Sequence, residues 1–236
     1  MATEVNNHKK EVLIALFFVF AIGIGIGIFS SNLSFSGGNS VTTKLVAVDD
    51  NGNGVSADVV ATVKKGTGLI LVNINNAVAD IDTQRSARKA ASVASQITGL
   101  SLAEIDVSYD IKTSAYKVSG ESAGTAMTLA TIAAITNKTL RNDVAVTGGI
   151  NEDGTVSMVG SIPEKASAAK AIGMNVLLIP IGGNIPTLEY QRVKKCSTYD
   201  DKEFCDISYS DKINAGGVIE MKEISNIKEA LEYSLK

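Results

Sequence analysis

Histidine occurs once in these 236 residues, at position 8, and tryptophan not at all. Aromatic residues make up only 5% of the chain, so Ala, Val, Ile and Gly must do most of the packing. No G-x-x-x-x-G-K-[ST] stretch is present, and with it goes the common phosphate-cradling loop of ATPases. No basic block follows the N-terminus and the formal net charge is −3, which argues against nucleic acid as a partner. The chain is nevertheless 45% hydrophobic, enough to bury a real core in one domain plus an appendage.

The appendage is at the start. Residues 12–29, VLIALFFVFAIGIGIGIF, carry neither a charge nor a strongly polar group. As a helix they span about 27 Å, close to the thickness of a bilayer core. Lys9 and Lys10 precede the run, and the next basic residue is Lys44. The bias of positive charge toward the cytoplasm puts residues 1–11 inside and the globular part outside. A cleaved signal peptide competes with a retained anchor. The run exceeds a usual signal-peptide core and no A-x-A site follows it, so the anchor is the expectation.

That placement decides what histidine can do. His8 lies on the far side of the membrane from everything else, so the exported part holds no histidine. A Ser-His-Asp triad, a Cys-His nucleophile and a His-ligated zinc are all excluded. Cys196 and Cys205 sit in KKCSTYDDKEFCD, a polar stretch read as a loop. An oxidising exterior permits a disulfide between them, and two unrelated thiols are the alternative.

Residues 30–40 are a Ser/Gly/Asn linker, and residues 41–236 read as one mixed α/β (α+β) domain. Strand patterns run through VTTKLVAVDD, DVVATVKKG, GLILVNI, IDVSYDI and AYKVS, with DDNGNG as a turn. QRSARKAASVASQITGL reads as a helix ending at Gly99, and AGTAMTLATIAAITN as an Ala-rich helix closing near Asn137. VAVTGGI and TVSMVG flank the turn NEDG as a hairpin. SIPEKASAAKAI has Ser161 and Glu164 at capping-box spacing, Pro163 in its first turn and Gly173 after its end. NVLLIP and VIEMKEI are strands, and SNIKEALEYSL is a last helix with Ser225 as its cap.

Two residues stand out chemically. Ser122, in SGESAGTAM, falls after a strand and at the start of a helix, where unpaired N–H groups would meet an oxyanion. Gly120, Ala123 and Gly124 leave room for a substrate backbone. A helix-capping serine fits the same string. With no histidine to act as base, Lys165 is the candidate. It lies in the first turn of SIPEKASAAKAI, where the helix dipole opposes its charge and small apolar neighbours would help to neutralise it. The alternative is a solvated lysine paired with Glu164.

Taken in order, these landmarks resemble the proteolytic domain of Lon proteases. Ser122 in ESAG, Thr147 in VTGGI, GTVSMVG, Lys165 in PEKASAAKAIG and then NVLLIP follow the family pattern. The serine and lysine are 43 residues apart, and the resemblance runs from about residue 69 to the C-terminus. It implies a Ser122–Lys165 dyad, with Thr147 holding the lysine. It also implies an oxyanion hole built from backbone groups of Gly120, Glu121 and Ala123. The implied reaction is peptide-bond hydrolysis needing neither metal nor cofactor, and a homo-oligomeric ring is implied as well. Glu121 stands where many relatives have proline, as in the archaeal membrane-linked branch, and is placed to reach Lys165 in a resting state. The expected whole is a single-pass membrane-anchored peptidase facing outward, cutting unfolded or membrane-associated proteins without ATP. Two readings compete with it: a catalytically silent binding module, and a cytoplasm-facing peptidase fed by a separate ATPase.

Overall fold

The computed structural model describes residues 38–49, 51–74, 78–113, 117–118, 121–183, 189–199, 202–212 and 219–236. The apolar run at 12–29 and Gly120 lie outside these. Among the described residues no helix is long and apolar enough to cross a membrane.

Most strands join one seven-stranded sheet. Strand β1 (Asn39–Val48) pairs antiparallel with β2 (Gly54–Lys65), across a turn in which Asp49 caps the N–H groups of Asn51 and Asn53. On one side the sheet continues through β5 (Ile105–Thr113) to β3 (Ile70–Ile74). On the other it runs through β7 (Val144–Val146) and β10 (Val176–Pro180) to β13 (Glu220–Ile224), all parallel to β1. The spatial order is β13-β10-β7-β1-β2-β5-β3. β10 is buried along its whole length, as a parallel strand covered on both faces must be.

Small two-stranded pieces decorate this sheet. They are β4 (Val78–Ala79) with β6 (Lys117–Val118), β8 (Gly149–Ile150) with β9 (Val156–Ser157), and β11 (Glu189–Tyr199) with β12 (Lys202–Lys212). The last pair replaces the expected cysteine loop. It is a regular antiparallel ribbon whose register sets Cys196 opposite Cys205.

Helices cover both faces. Helix α1 (Ile81–Thr98) starts at Asp80, whose carboxylate accepts from Thr83 N, and ends at left-handed Gly99. Helix α2 (Gly124–Ile135) is buried at every position, sandwiched between α1 and strands β1 and β2. The hydroxyls of Thr128 and Thr131 on α2 donate to carbonyls one turn back, and Thr131 also meets the buried Tyr109 hydroxyl at 2.8 Å. Helix α3 (Ile162–Ala171) packs on the opposite face. Its Ile162, Ala168 and Ala169 form a cluster with Val46, Ala145, Leu177 and Ile179, which alternate with the residues facing α2. Helix α4 (Ile227–Ser234) closes the chain beside α2.

The C-terminal segment is laced into the domain. Val156 N donates to Ser225 O and Ile227 N to Gly154 O, both on the β8–β9 hairpin. Arg141 N donates to Ser234 O, and Lys236 N to Thr139 O.

Three local expectations need correction. Ser161 does not cap α3, because its backbone is left-handed at φ 60° and its side chain makes no capping bond. A capping serine needs extended backbone to reach the first-turn N–H groups. For α4 the cap is Asn226, whose side chain accepts from the N–H groups of Lys228 and Glu229, while Ser225 donates to Glu229 instead. The hairpin is confined to β8 and β9, and Val144–Val146 belongs to the main sheet.

Helix α3 sits unusually close to the start of β2. A Cβ built on Gly54 would lie 1.9 Å from the Glu164 carbonyl oxygen. Neither backbone can yield cheaply. Gly54→Ala is therefore expected to cost about 1–3 kcal/mol of stability, read by urea unfolding. An unchanged midpoint would contradict this close approach.

Candidate active site

Ser122 occupies a 3-10 turn, Glu121–Ala123, that leads directly into α2. The helix cap is Ala123 and no side chain caps the helix, so the Ser122 hydroxyl is not spent on that task. The serine is half-buried at the edge of an otherwise buried helix.

The turn is clamped to the strand side by two backbone bonds. Gly148 N donates to Ser122 O at 3.1 Å, and Thr125 N donates back to Gly148 O at 3.1 Å. Gly148 sits at φ 150°, and a Cβ there would meet Val156 Cγ1 at 2.7 Å and Thr125 Oγ1 at 3.0 Å. Only glycine suits this position. The Thr125 hydroxyl adds a bond to Gly149 O.

Thr147 precedes that glycine at the C-terminal end of β7. It is fully buried, and its N–H donates to Leu178 O on β10. Its hydroxyl has no hydrogen-bond partner among the described residues. A buried orphan hydroxyl costs about 1–3 kcal/mol, so it calls for an explanation.

Lys165 lies on the buried face of α3, between Ile162 and the Ala168–Ala169 pair, and is only 3% exposed. It is not the solvated lysine of the alternative reading. Among the described residues it makes no ion pair. Burial lowers its amine from 10.5 to about 8, with Glu164 pulling weakly in the other direction. At pH 7 about one in ten of these amines is therefore uncharged, far more than for an ordinary lysine.

Of the residues singled out in the sequence, Ser122 and Thr147 are brought together directly, through the Gly148 bonds. Lys165 lies on α3, which packs on β10 and β7 from the face opposite α2. Pro180, at the end of β10, completes the wall, 3.5 Å from a Cβ placed on Gly148. The site thus sits at the C-terminal ends of adjacent parallel strands, where open α/β sheets commonly bind ligands. Glu121 does not pair with Lys165. Its carboxylate points outward and accepts from Lys89 Nζ at 3.1 Å, because α1 runs past the same turn. Lys89 was missed by sequence reasoning, and nothing local to it signals a partner 32 residues away. No group of three or more acidic, histidine or cysteine residues suited to a metal occurs among the described residues.

A family model described as "Lon protease (S16) C-terminal proteolytic domain" matches residues 51–190, more than half of the chain. The chain belongs to that family. The Lon protease of Phenylobacterium zucineum is 38% identical over 98 residues, 42% of this chain and 12% of that protein. The archaeal Lon protease of Methanocaldococcus jannaschii is 31% identical over 136 residues, 55% of this chain and 21% of that protein. The Lon protease of Fervidobacterium nodosum is 34% identical over 144 residues, 59% of this chain and 17% of that protein. The matches thus cover between 12% and 21% of the length of these relatives.

The buried amine makes stability depend on pH in a definite direction. Folding lowers the Lys165 pKa, so between pH about 8 and 10.5 the unfolded chain holds a proton that the folded one has released. Stability contributed by this residue should rise with pH across that window. The unfolding free energy of wild type relative to Lys165→Met, measured by urea at several pH values, should therefore increase between pH 7 and about 10.5. A difference that does not vary with pH would remove the buried, depressed amine.

Proposed function

We propose that this Lon-type domain is a serine endopeptidase in which Ser122 is the nucleophile and Lys165 the general base. The observation that carries the proposal is the burial of Lys165 without a counter-ion. An ordinary lysine stays charged at neutral pH and accepts no proton, whereas one near 8 shuttles protons readily.

In this reading Lys165 Nζ takes the proton as Ser122 Oγ attacks the scissile carbonyl. The resulting oxyanion faces the N-terminus of α2, where the backbone N–H groups of Glu121 and Ala123 supply donors. Lys165 then returns the proton to the leaving amine. A water, deprotonated by the same lysine, cleaves the acyl ester. The orphan hydroxyl of Thr147 accepts from the Lys165 ammonium as the charge appears, which explains why a buried, unpaired group persists. No metal or nucleotide takes part in the chemistry.

The wider setting is part of the same proposal. Residues 12–29 anchor the chain as a single membrane-spanning helix, with the domain outside the cytoplasm, on the strength of the apolar run and its flanking lysines. Substrates are unfolded or membrane-associated polypeptides, cut without ATP, and the working unit is a homo-oligomeric ring, as the relationship to Lon proteases suggests.

The test is cleavage of a fluorescently labelled unfolded protein by the full chain in detergent, without ATP. Ser122→Ala and Lys165→Ala should each lose at least about 100-fold in rate. Cleavage that survives Lys165→Ala would end the dyad mechanism, and a wild type inert in every lipid and detergent would favour the silent binding module. The wild-type rate should climb with pH through about 8, as Lys165 gives up its proton. Thr147→Val should keep its thermal stability yet lower kcat and move that rising limb. A variant with unchanged kcat and profile would leave the hydroxyl without a role.

A further inference from the structure

The ribbon β11–β12 stands apart from the family pattern. The match to the family ends at residue 190, just inside β11, and the ribbon fills the crossover between β10 and β13. It pairs with no other strand among the described residues. An isolated two-stranded ribbon is marginally stable in water, so something further has to hold it.

The register identifies what that is. Tyr199 and Lys202 are partners separated by two residues. A pair closed by so short a loop exchanges both of its backbone hydrogen bonds, because the residues inside the loop are too close to bond each other. Bonded and non-bonded pairs alternate along an antiparallel ribbon. Thr198↔Glu203 is therefore non-bonded, Ser197↔Phe204 bonded and Cys196↔Cys205 non-bonded. At a non-bonded pair the Cα atoms approach to about 4.5 Å and the side chains stand closest. That separation falls within the range a disulfide spans, about 4.4–6.8 Å.

We propose that Cys196 and Cys205 form a cross-strand disulfide that locks the ribbon. Parity matters as much as proximity: one residue further along, the pair would be hydrogen-bonded and wider. The oxidant is a small-molecule or protein disulfide. One cysteine thiolate attacks it and releases the first thiol. The second thiolate then attacks the mixed disulfide and releases the other. The two protein thiols lose two electrons and two protons, and the oxidant disulfide gains them as two thiols.

The proposal does not depend on the peptidase reading, since its readout is the state of two sulfurs.

The full chain in detergent is equilibrated with oxidised glutathione, its remaining thiols are alkylated, and it is digested without reduction. The expected product is a peptide joining Cys196 to Cys205 within one chain, and in Cys196→Ser the Cys205 thiol is recovered alkylated. Trypsin should then cut the ribbon at its lysines at least about ten-fold faster after reduction than before. Alkylation of both cysteines in the equilibrated wild type would overturn the proposal, as would a cross-link between chains. Equal cutting before and after reduction would overturn the lock.

Discussion

Two backbone hydrogen bonds between the Ser122 turn and Gly148 hold this site together. They join an α2 buried at every position to the end of a central strand, so the serine cannot shift without disturbing both. Side chains at these places are small because nothing larger fits. A Cβ on Gly148 would meet Val156, Thr125 and Pro180 at once. Precision here comes from main-chain geometry, which is stiffer than any contact between long side chains. What remains adjustable is charge, and that resides in one lysine held dry on the other face of the sheet.

The division of labour between the two faces has a physical logic. The face bearing α1, α2 and α4 is the larger core and supplies rigidity. The face bearing α3 is thinner, and its helix is built largely from alanine. Small side chains bring α3 close enough to β2 for Gly54 to be required, and the same closeness strips water from Lys165. A bulkier helix would stand further off and hydrate its lysine. Packing distance thus sets proton affinity.

Much of this was legible in the sequence. Gly99 ended α1, the Ala-rich run gave α2, and the apolar NVLLIP gave a strand. Ser122, Thr147 and Lys165 stood out by their order, whereas the burial of Lys165 comes from the fold, since its alanine neighbours left a solvated lysine open. The misses are where information is non-local or conformational. Ser161 has the right chemistry for a cap, but its left-handed backbone withdraws the hydroxyl. The Lys89–Glu121 pair depends on how α1 crosses the serine turn, which no window of sequence contains. The cysteine stretch looked like a loop because its composition is polar. Its strand character rests on register across a hairpin, and composition does not encode that.

The lacing of the last residues has a consequence for how the molecule comes into being. Ser225, Asn226 and Ile227 satisfy the β8–β9 hairpin that continues from Gly148, and Ser234 and Lys236 tie down the segment leading into β7. A ribosome delivers these groups after both the Ser122 turn and the β8–β9 hairpin. While residues 225–236 are still in the exit tunnel, the hairpin lacks its outer partners and the serine turn has nothing firm to lean on. A site arranged in this way stays unfinished until residues 225–236 have been made and have left the tunnel, so whatever chemistry it performs waits for its own C-terminal lacing.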